Sequence, residues 1–205
     1  FVAFRDARSG LEYLRSCREL WERGLSLSLE AYGGHVFWEF REVWDGVAGQ
    51  WGRLADRLGG RGVPSLDDAF RELQLEPVHG PLRAIFADGA AGAVAAVMDG
   101  TARSAQVDDL ERRFAVFLTA VAEATGVKGE PETIAAAARE RVTFAFGEPA
   151  VLEGLGRQER AALLVWLALD RMGALAPGPD VAATSRAWYD ELRLPGAVAA
   201  GLRDI

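Results

Sequence analysis

Residues 25–44, LSLSLEAYGGHVFWEFREVW, decide how the rest of the chain is read. Leu25, Leu27, Leu29 and Ala31 alternate with Ser26, Ser28, Glu30 and Tyr32, and a strand would place the two sets on opposite faces. Gly33-Gly34 supplies a tight turn, because residues without side chains accept the positive φ that a short hairpin needs. On the return strand Val36, Trp38, Phe40 and Trp44 share a parity against Phe37, Glu39, Arg41 and Val43, with Glu42 interrupting the first set. The expectation is a β-hairpin over residues 25–44. A lone hairpin is marginal in water, so this much aromatic surface calls for further strands or a covering partner.

Working outward, FVAFRD and LEYLRS within residues 1–14 read as a first hairpin, turned through Arg8-Ser9-Gly10. Residues 17–23, CRELWER, fit a short helix or a third strand ending at Gly24. After Asp45-Gly46 the period becomes helical. Trp51, Leu54, Ala55 and Leu58 form one stripe closed by Gly59-Gly60. Leu66, Ala69, Phe70 and Leu73 form the next, with Ser65 as the N-cap and Asp67 and Asp68 at the positive helix end. Pro77 and Pro81 bracket an expected kinked connection, and Leu82, Ile85 and Phe86 a separate short helix. Helices are also expected over Gly89–Met98 and over Ala105–Ala124, the latter with Val107, Leu110, Phe114, Phe117, Leu118 and Val121 on one face. Pro131 suits the first turn of a helix through Ala145. Residues 158–172 are apolar nearly all round and read as the central buried helix of the second half. Pro177-Gly178-Pro179 marks a loop before helices over 180–192 and 195–205. The fold class is therefore α+β: a small antiparallel β-sheet region, residues 1–45, followed by a mainly α-helical domain, residues 46–205.

The balance of 23 basic against 30 acidic side chains gives a net charge of −7. No basic block is present, so nucleic acid is not an expected partner. The single Cys17 forms neither an intrachain disulfide nor, alone, a zinc site, which suits a reducing, cytoplasmic setting. No apolar run approaches the ~20 residues needed to cross a bilayer, so no membrane association is expected. Phe1 opens in what reads as mid-strand and Ile205 closes inside a helical pattern, which suggests a piece of a longer protein.

Few residues invite chemistry. His35 beside the Gly-Gly turn and His79 between two prolines read as packing or surface residues, and two separated histidines with one cysteine predict no metal centre. Glu39, Arg41, Glu42 and Asp45 place charge beside rings, read most simply as a solvated face with a cross-strand partner such as Glu30. Gly59-Gly60-Arg61-Gly62 lacks the lysine of a phosphate loop, and Ser9, Ser65 and Ser185 lie in no nucleophile elbow. Trp21, Trp38, Trp44 and Trp51 cluster within thirty-one positions. Such rings either fill a joint between sheet and helices, the favoured reading here, or stack on sugar faces.

The runs LEYLRSCRELWERGLSLSLEAYGGHVFWEFREVWDG (11–46) and GRGVPSLDDAFRELQLEPVHGPLRAIF (60–86) resemble the region downstream of the catalytic barrel in some large bacterial α-amylase-family glycosidases. The resemblance covers about a third of the chain. It implies strands from a C-terminal β-domain, then a helical extension, in a parent enzyme that acts on α-linked glucans through an aspartate nucleophile and a glutamate acid. None of those catalytic residues carries over. Phe40-Arg41-Glu42-Val43 and Phe4-Arg5-Asp6-Ala7 both depart from the family's nucleophile motif. The expectation is a non-catalytic accessory region with no cofactor, whose partner is the catalytic domain of its parent chain. Glucan contact through Tyr32, Trp38 and Trp44 is a further expectation. A helical protein-interaction module over residues 105–205 is the alternative from another class.

Overall fold

The computed structural model describes residues 1–27, 29, 31–87 and 89–203. Among them the chain is α+β, with one three-stranded antiparallel sheet, ten α-helices and a 3₁₀ turn. It divides into two compact units, Phe1–Glu76 and Pro77–Ile205.

In the first unit β1 (Val2–Asp6) and β2 (Glu12–Arg15) form the expected N-terminal hairpin, with Ala3 opposite Leu14 and Arg5 opposite Glu12. A short helix α1 (Cys17–Arg23) follows, started by Ser16, whose Oγ accepts from the Glu19 N–H, and stopped at Gly24. The hairpin expected over residues 25–44 is not formed. The described residues between Gly24 and Val36 carry no strand, Ser28 and Glu30 lie outside the described residues, and β3 (Phe37–Glu42) pairs with the open edge of β1. The sheet order is β2-β1-β3. Alternation along 25–31 assigns faces to a strand but names no partner. Pairing with β1 makes a third strand on an existing hairpin, which is more stable than a second isolated ribbon.

The β1–β3 register shifts between Ala3, opposite Arg41, and Arg5, opposite Trp38. Two residues of β3 thus face one of β1, a β-bulge, and Glu39 takes a φ of 53°. The bulge overturns the expected parity. Phe37 and Phe40 come to the same face as Phe4, whereas Trp38, Arg41 and Val43 fall on the other.

That second face carries the core of this unit. Ala3, Leu14 and Val43 pack with Leu54 and Leu58 of α2 (Gln50–Leu58) and with Leu66 and Leu73 of α3 (Leu66–Phe86). Trp51 stacks on Phe70 at 4.1 Å. Asp45 accepts from the Trp51 and Gly52 N–H groups, both at 2.9 Å, and so supplies the opening of α2 with acceptors. Ser65 Oγ accepts from Asp68 N–H at the start of α3, as its position predicts. Glu12 of β2 accepts from the Leu66 N–H at 2.6 Å and ties the sheet to that helix end. Because α2 and the first turns of α3 bury their stripes on the sheet, the compact unit runs on to Glu76, past the change from strand to helix near residue 45.

Pro77 and Pro81 lie inside α3 and not in a connection between two helices. A proline costs its helix a hydrogen bond and some crowding. Burial of Leu73, Val78 and Leu82 along the same helix offsets that cost.

The second unit is helical: α4 (Ala91–Met98), α5 (Ser104–Thr125), α6 (Pro131–Gly147), α7 (Pro149–Leu152), α8 (Arg157–Leu169), the 3₁₀ turn Met172–Leu175, α9 (Val181–Glu191) and α10 (Leu194–Arg203). Helix α5 buries Phe114, Phe117, Leu118 and Val121 from the expected stripe and ends at Gly126 in the left-handed region. Helix α6 opens on Pro131 and buries Ile134, Ala135 and Ala138. Arg139 pairs with Asp108 and Glu111 of α5. His79 is buried, and its Nε2–H donates to the Leu192 carbonyl at 2.7 Å, a packing role as expected. Helix α8 departs from its expectation as the central buried helix. Only Leu167 and Leu169 are buried, and Trp166 is 60% exposed. An all-apolar helix is usually enclosed; here one of its stripes is left to line a groove.

Candidate functional site

The first unit presents the most distinctive surface. Around Phe4, which is buried, the bulge gathers rings on the face opposite the Ala3 core. Phe40 stacks on Phe4 at 5.3 Å between centroids, Tyr13 stacks from the other side at 5.7 Å, and Phe37 meets Phe4 edge-on at 5.0 Å. His35 lies flat on Phe37 at 5.6 Å. Each such pair contributes roughly 0.5–1.5 kcal/mol beyond its buried area. The cluster is half-open, since Phe40 is exposed while Phe4 is not.

Beside it sits Asp6, fully buried at the end of β1. Its carboxylate accepts from the Arg8 N–H at 3.1 Å, Ser9 Oγ–H at 2.9 Å, His35 Nδ1–H at 3.0 Å and the Val36 N–H at 3.4 Å. The His35 bond above all holds the Asp6 carboxyl far below the ordinary carboxylate range. Burial opposes this, and the backbone and Ser9 donors reinforce it. The arrangement brings Ser, His and Asp together without making a nucleophilic relay. Ser9 donates to the carboxylate itself, whereas a relay needs the hydroxyl on the far nitrogen of the imidazole. Asp6 is a clamp that fixes the 7–10 turn and the entry to β3, and the Ala7 N–H adds a bond to the Val36 carbonyl at 2.8 Å. Residue-by-residue reading gave His35 no partner, because Asp6 lies 29 positions away. Its one visible signal was Asp6-Ala7-Arg8-Ser9-Gly10, an aspartate placed to close a turn.

The expected glucan contacts are disposed differently. Tyr32 is fully exposed in a turn at φ 62°, Trp38 is 49% exposed and Trp44 is 80% exposed. No ring contact joins any of the three to another described ring. The pleat sets Trp38 on the face opposite Phe40. Filling of a sheet–helix joint, the favoured reading of the tryptophans, therefore holds for Trp51 alone among the cluster of four, since Trp21 is exposed as well.

Among the described residues the charges on β3 have ion-pair partners; Glu30, the cross-strand partner expected for them, lies outside the described residues. Arg5 binds Glu12 at 2.6 Å and Glu39 at 3.0 Å, and Arg41 binds Asp67 at 2.9 Å. Glu39 sits at the bulge and still reaches Arg5, which lies on the Ala3 and Arg41 face of the sheet. Among the described residues no group of three His, Cys, Asp or Glu side chains is placed to hold a metal ion. No single described helix is long and apolar enough to cross a membrane.

What distinguishes the segment from Trp21 to Val47 is its apolar exposure. Trp21, Leu25, Leu27, Leu29, Tyr32, Val36, Trp38, Phe40, Trp44 and Val47 all present large side chains to solvent. Scattered single exposures are ordinary, but a segment this rich in them is not. Comparison with protein-family models, curated proteins and solved structures finds no match to the chain.

Proposed function

We propose that this chain is a non-catalytic accessory region of an α-amylase-family enzyme acting on α-glucans in the cytoplasm. In this reading the segment from Trp21 to Val47 packs against that enzyme's catalytic domain. The observation that carries it is the set of exposed apolar side chains among the described residues of that segment. A standard interface takes about 800 Å² from each partner, and an aromatic side chain buries roughly 150–250 Å², so a few such rings with their aliphatic neighbours supply most of it. The aliphatic members favour a protein partner over a sugar. Leu25, Leu27, Leu29, Val36 and Val47 offer no flat face for a pyranose ring and bring no hydrogen bonds to its hydroxyls.

The test uses the chain alone and then with the catalytic domain of its parent enzyme supplied as a second polypeptide. The chain alone should release no reducing sugar from maltoheptaose. The two polypeptides should associate, and Val36→Asp with Phe40→Asp should weaken the association at least tenfold, since a charge in a buried interface is strongly unfavourable. Turnover by the chain alone, or association indifferent to both substitutions, would remove the reading.

A second reading, glucan contact through Tyr32, Trp38 and Trp44, is favoured by the exposure of those three rings. It predicts a saturable shift of tryptophan fluorescence with maltoheptaose or glycogen, lost in Trp38→Ala and Trp44→Ala. A flat titration discards it.

A further inference from the structure

Helix α8 carries Ala161, Ala162, Val165, Trp166 and Leu169 along one stripe, and that stripe is the floor of a groove of about 800 Å³ whose other walls are α9 and α10. Small-molecule sites occupy roughly 300–1,000 Å³. Behind the floor lies a cavity of about 110 Å³, and Val165, Leu169 and Val198 line both spaces. The only charged side chains in its wall, Glu111 and Arg139, are paired at 3.0 Å, so the cavity is otherwise apolar and offers water no partner. The groove's rim has the opposite character. Arg157, Arg186 and Arg203 stand along it, and Arg186 and Arg203 form no ion pair with a described residue. The one carboxylate at the rim, Asp170, is bound by Arg141 at 2.6 Å. A protein of net charge −7 thus places three arginines and one carboxylate, Asp170, among the described residues that line an apolar slot.

We propose that the helical unit binds a fatty-acid-like amphiphile, an unbranched alkyl carboxylate, with its chain in the α8–α10 groove and its head group at Arg186 and Arg203. The guanidinium fork matches a carboxylate geometrically, and such bonds are stronger than neutral ones. Ala161, Ala162, Val165 and Leu169 give an alkyl chain an apolar floor to lie on, while Gln158, Ser185 and Tyr189 are the uncharged polar side chains the groove also presents. The inner cavity gives Val165, Leu169 and Val198 room to yield as the chain settles against them. This inference is independent of the role proposed for the first unit, which involves none of these residues.

The test is calorimetric titration of the whole chain with dodecanoate below its micelle-forming concentration, followed in parallel by Trp166 fluorescence. One-to-one saturable binding is expected, with octanoate at least about tenfold weaker because four methylenes fewer are buried. The double variant R186E/R203E should weaken dodecanoate by about tenfold or more and leave dodecanol unaffected. Ala162 is exposed on α8, so A162W should keep the helical circular dichroism of the parent chain while abolishing binding of both ligands. Absence of saturable heat, binding undiminished in folded A162W, or equal losses for dodecanoate and dodecanol in R186E/R203E would each overturn the proposal. So would a dimer, seen by sedimentation without ligand and broken by R186E/R203E, since a second copy would then be the groove's occupant.

Discussion

At the scale of single residues, Asp6 controls more of the first unit than any other side chain. Four donors converge on a carboxylate that has no access to water, and they join a turn to a strand that begins some thirty residues later. Its carboxyl lies below the ordinary value of 3.8 in the folded protein, led by the His35 bond. Asp109 is lowered too, first by its hydrogen bond with Arg113 and then by the charges of Arg113 and Arg112. A carboxyl held low contributes stability that is complete above its unfolded value and is lost as the pH falls through its folded one. Melting temperatures followed by circular dichroism should therefore be level near neutrality and decline as the pH drops below about 4. Asp6→Asn replaces an acceptor-only group with one that must turn donors toward donors, so it should melt lower at pH 7 by several degrees. Its further decline on acidification should be shallower than that of the parent chain. An unchanged acid limb in this variant would show that the clamp is not made.

At the scale of elements, the chain is governed by close approaches that depend on what a residue lacks. The 3₁₀ turn Met172–Leu175 lies against the start of α9, where the Gly173 N–H donates to Ser185 Oγ at 2.7 Å. A Cβ at Gly173 would lie 2.7 Å from the Ser185 amide nitrogen and would strike the Val181 carbonyl. Both obstacles are backbone and cannot rotate aside, so Gly173→Ala should destabilise by about 3 kcal/mol, the upper part of the range for overpacking, in urea denaturation. Gly178→Ala, with nothing near its Cβ position, is the control and should be within about 0.5 kcal/mol of the parent. The bulge in β3 is the corresponding feature of the sheet. One extra residue at Glu39 sends Phe40 to the side of Phe4 and Val43 into the core, and so creates the half-open cluster of rings on one face and a packed joint on the other.

At the scale of the whole molecule, two cores are built differently. The first is a sheet face closed by two helices, with the stacked Trp51 and Phe70 packed against it. The second is a set of helices around α5, in which Phe117 is completely enclosed. Phe117→Ala should cost about 3–5 kcal/mol, because α5 and α6 cannot collapse fully into the space while the ion pairs from Arg139 hold them in register. Chemical denaturation read by far-ultraviolet circular dichroism measures this, and a loss below about 1 kcal/mol would mean that the site relaxes freely.

Much of this architecture was legible from local pattern. The class, a small antiparallel sheet followed by helices, follows from the period change near residue 45. The limits of α2, α5, α6 and α9 follow from Gly59, Gly126, Pro131 and Asp180, because caps and breakers act within a turn of where they sit. The first hairpin follows from its own turn for the same reason. What local pattern does not carry is the choice among partners. Residues 25–31 alternate as a strand would and form none among the described positions, since β3 takes the open edge of β1. Helix α8 is apolar on all sides, yet only packing decides which of its stripes is enclosed and which faces a groove. His35 has no visible role until folding brings Asp6 to it. The sequence by itself determined where elements begin and end and which of their sides are apolar, since those are short-range effects of backbone sterics and side-chain period. Tertiary structure alone decided strand pairing, the inversion of parity at Glu39 and the surfaces left bare, because each is the outcome of competition among contacts far apart in the chain.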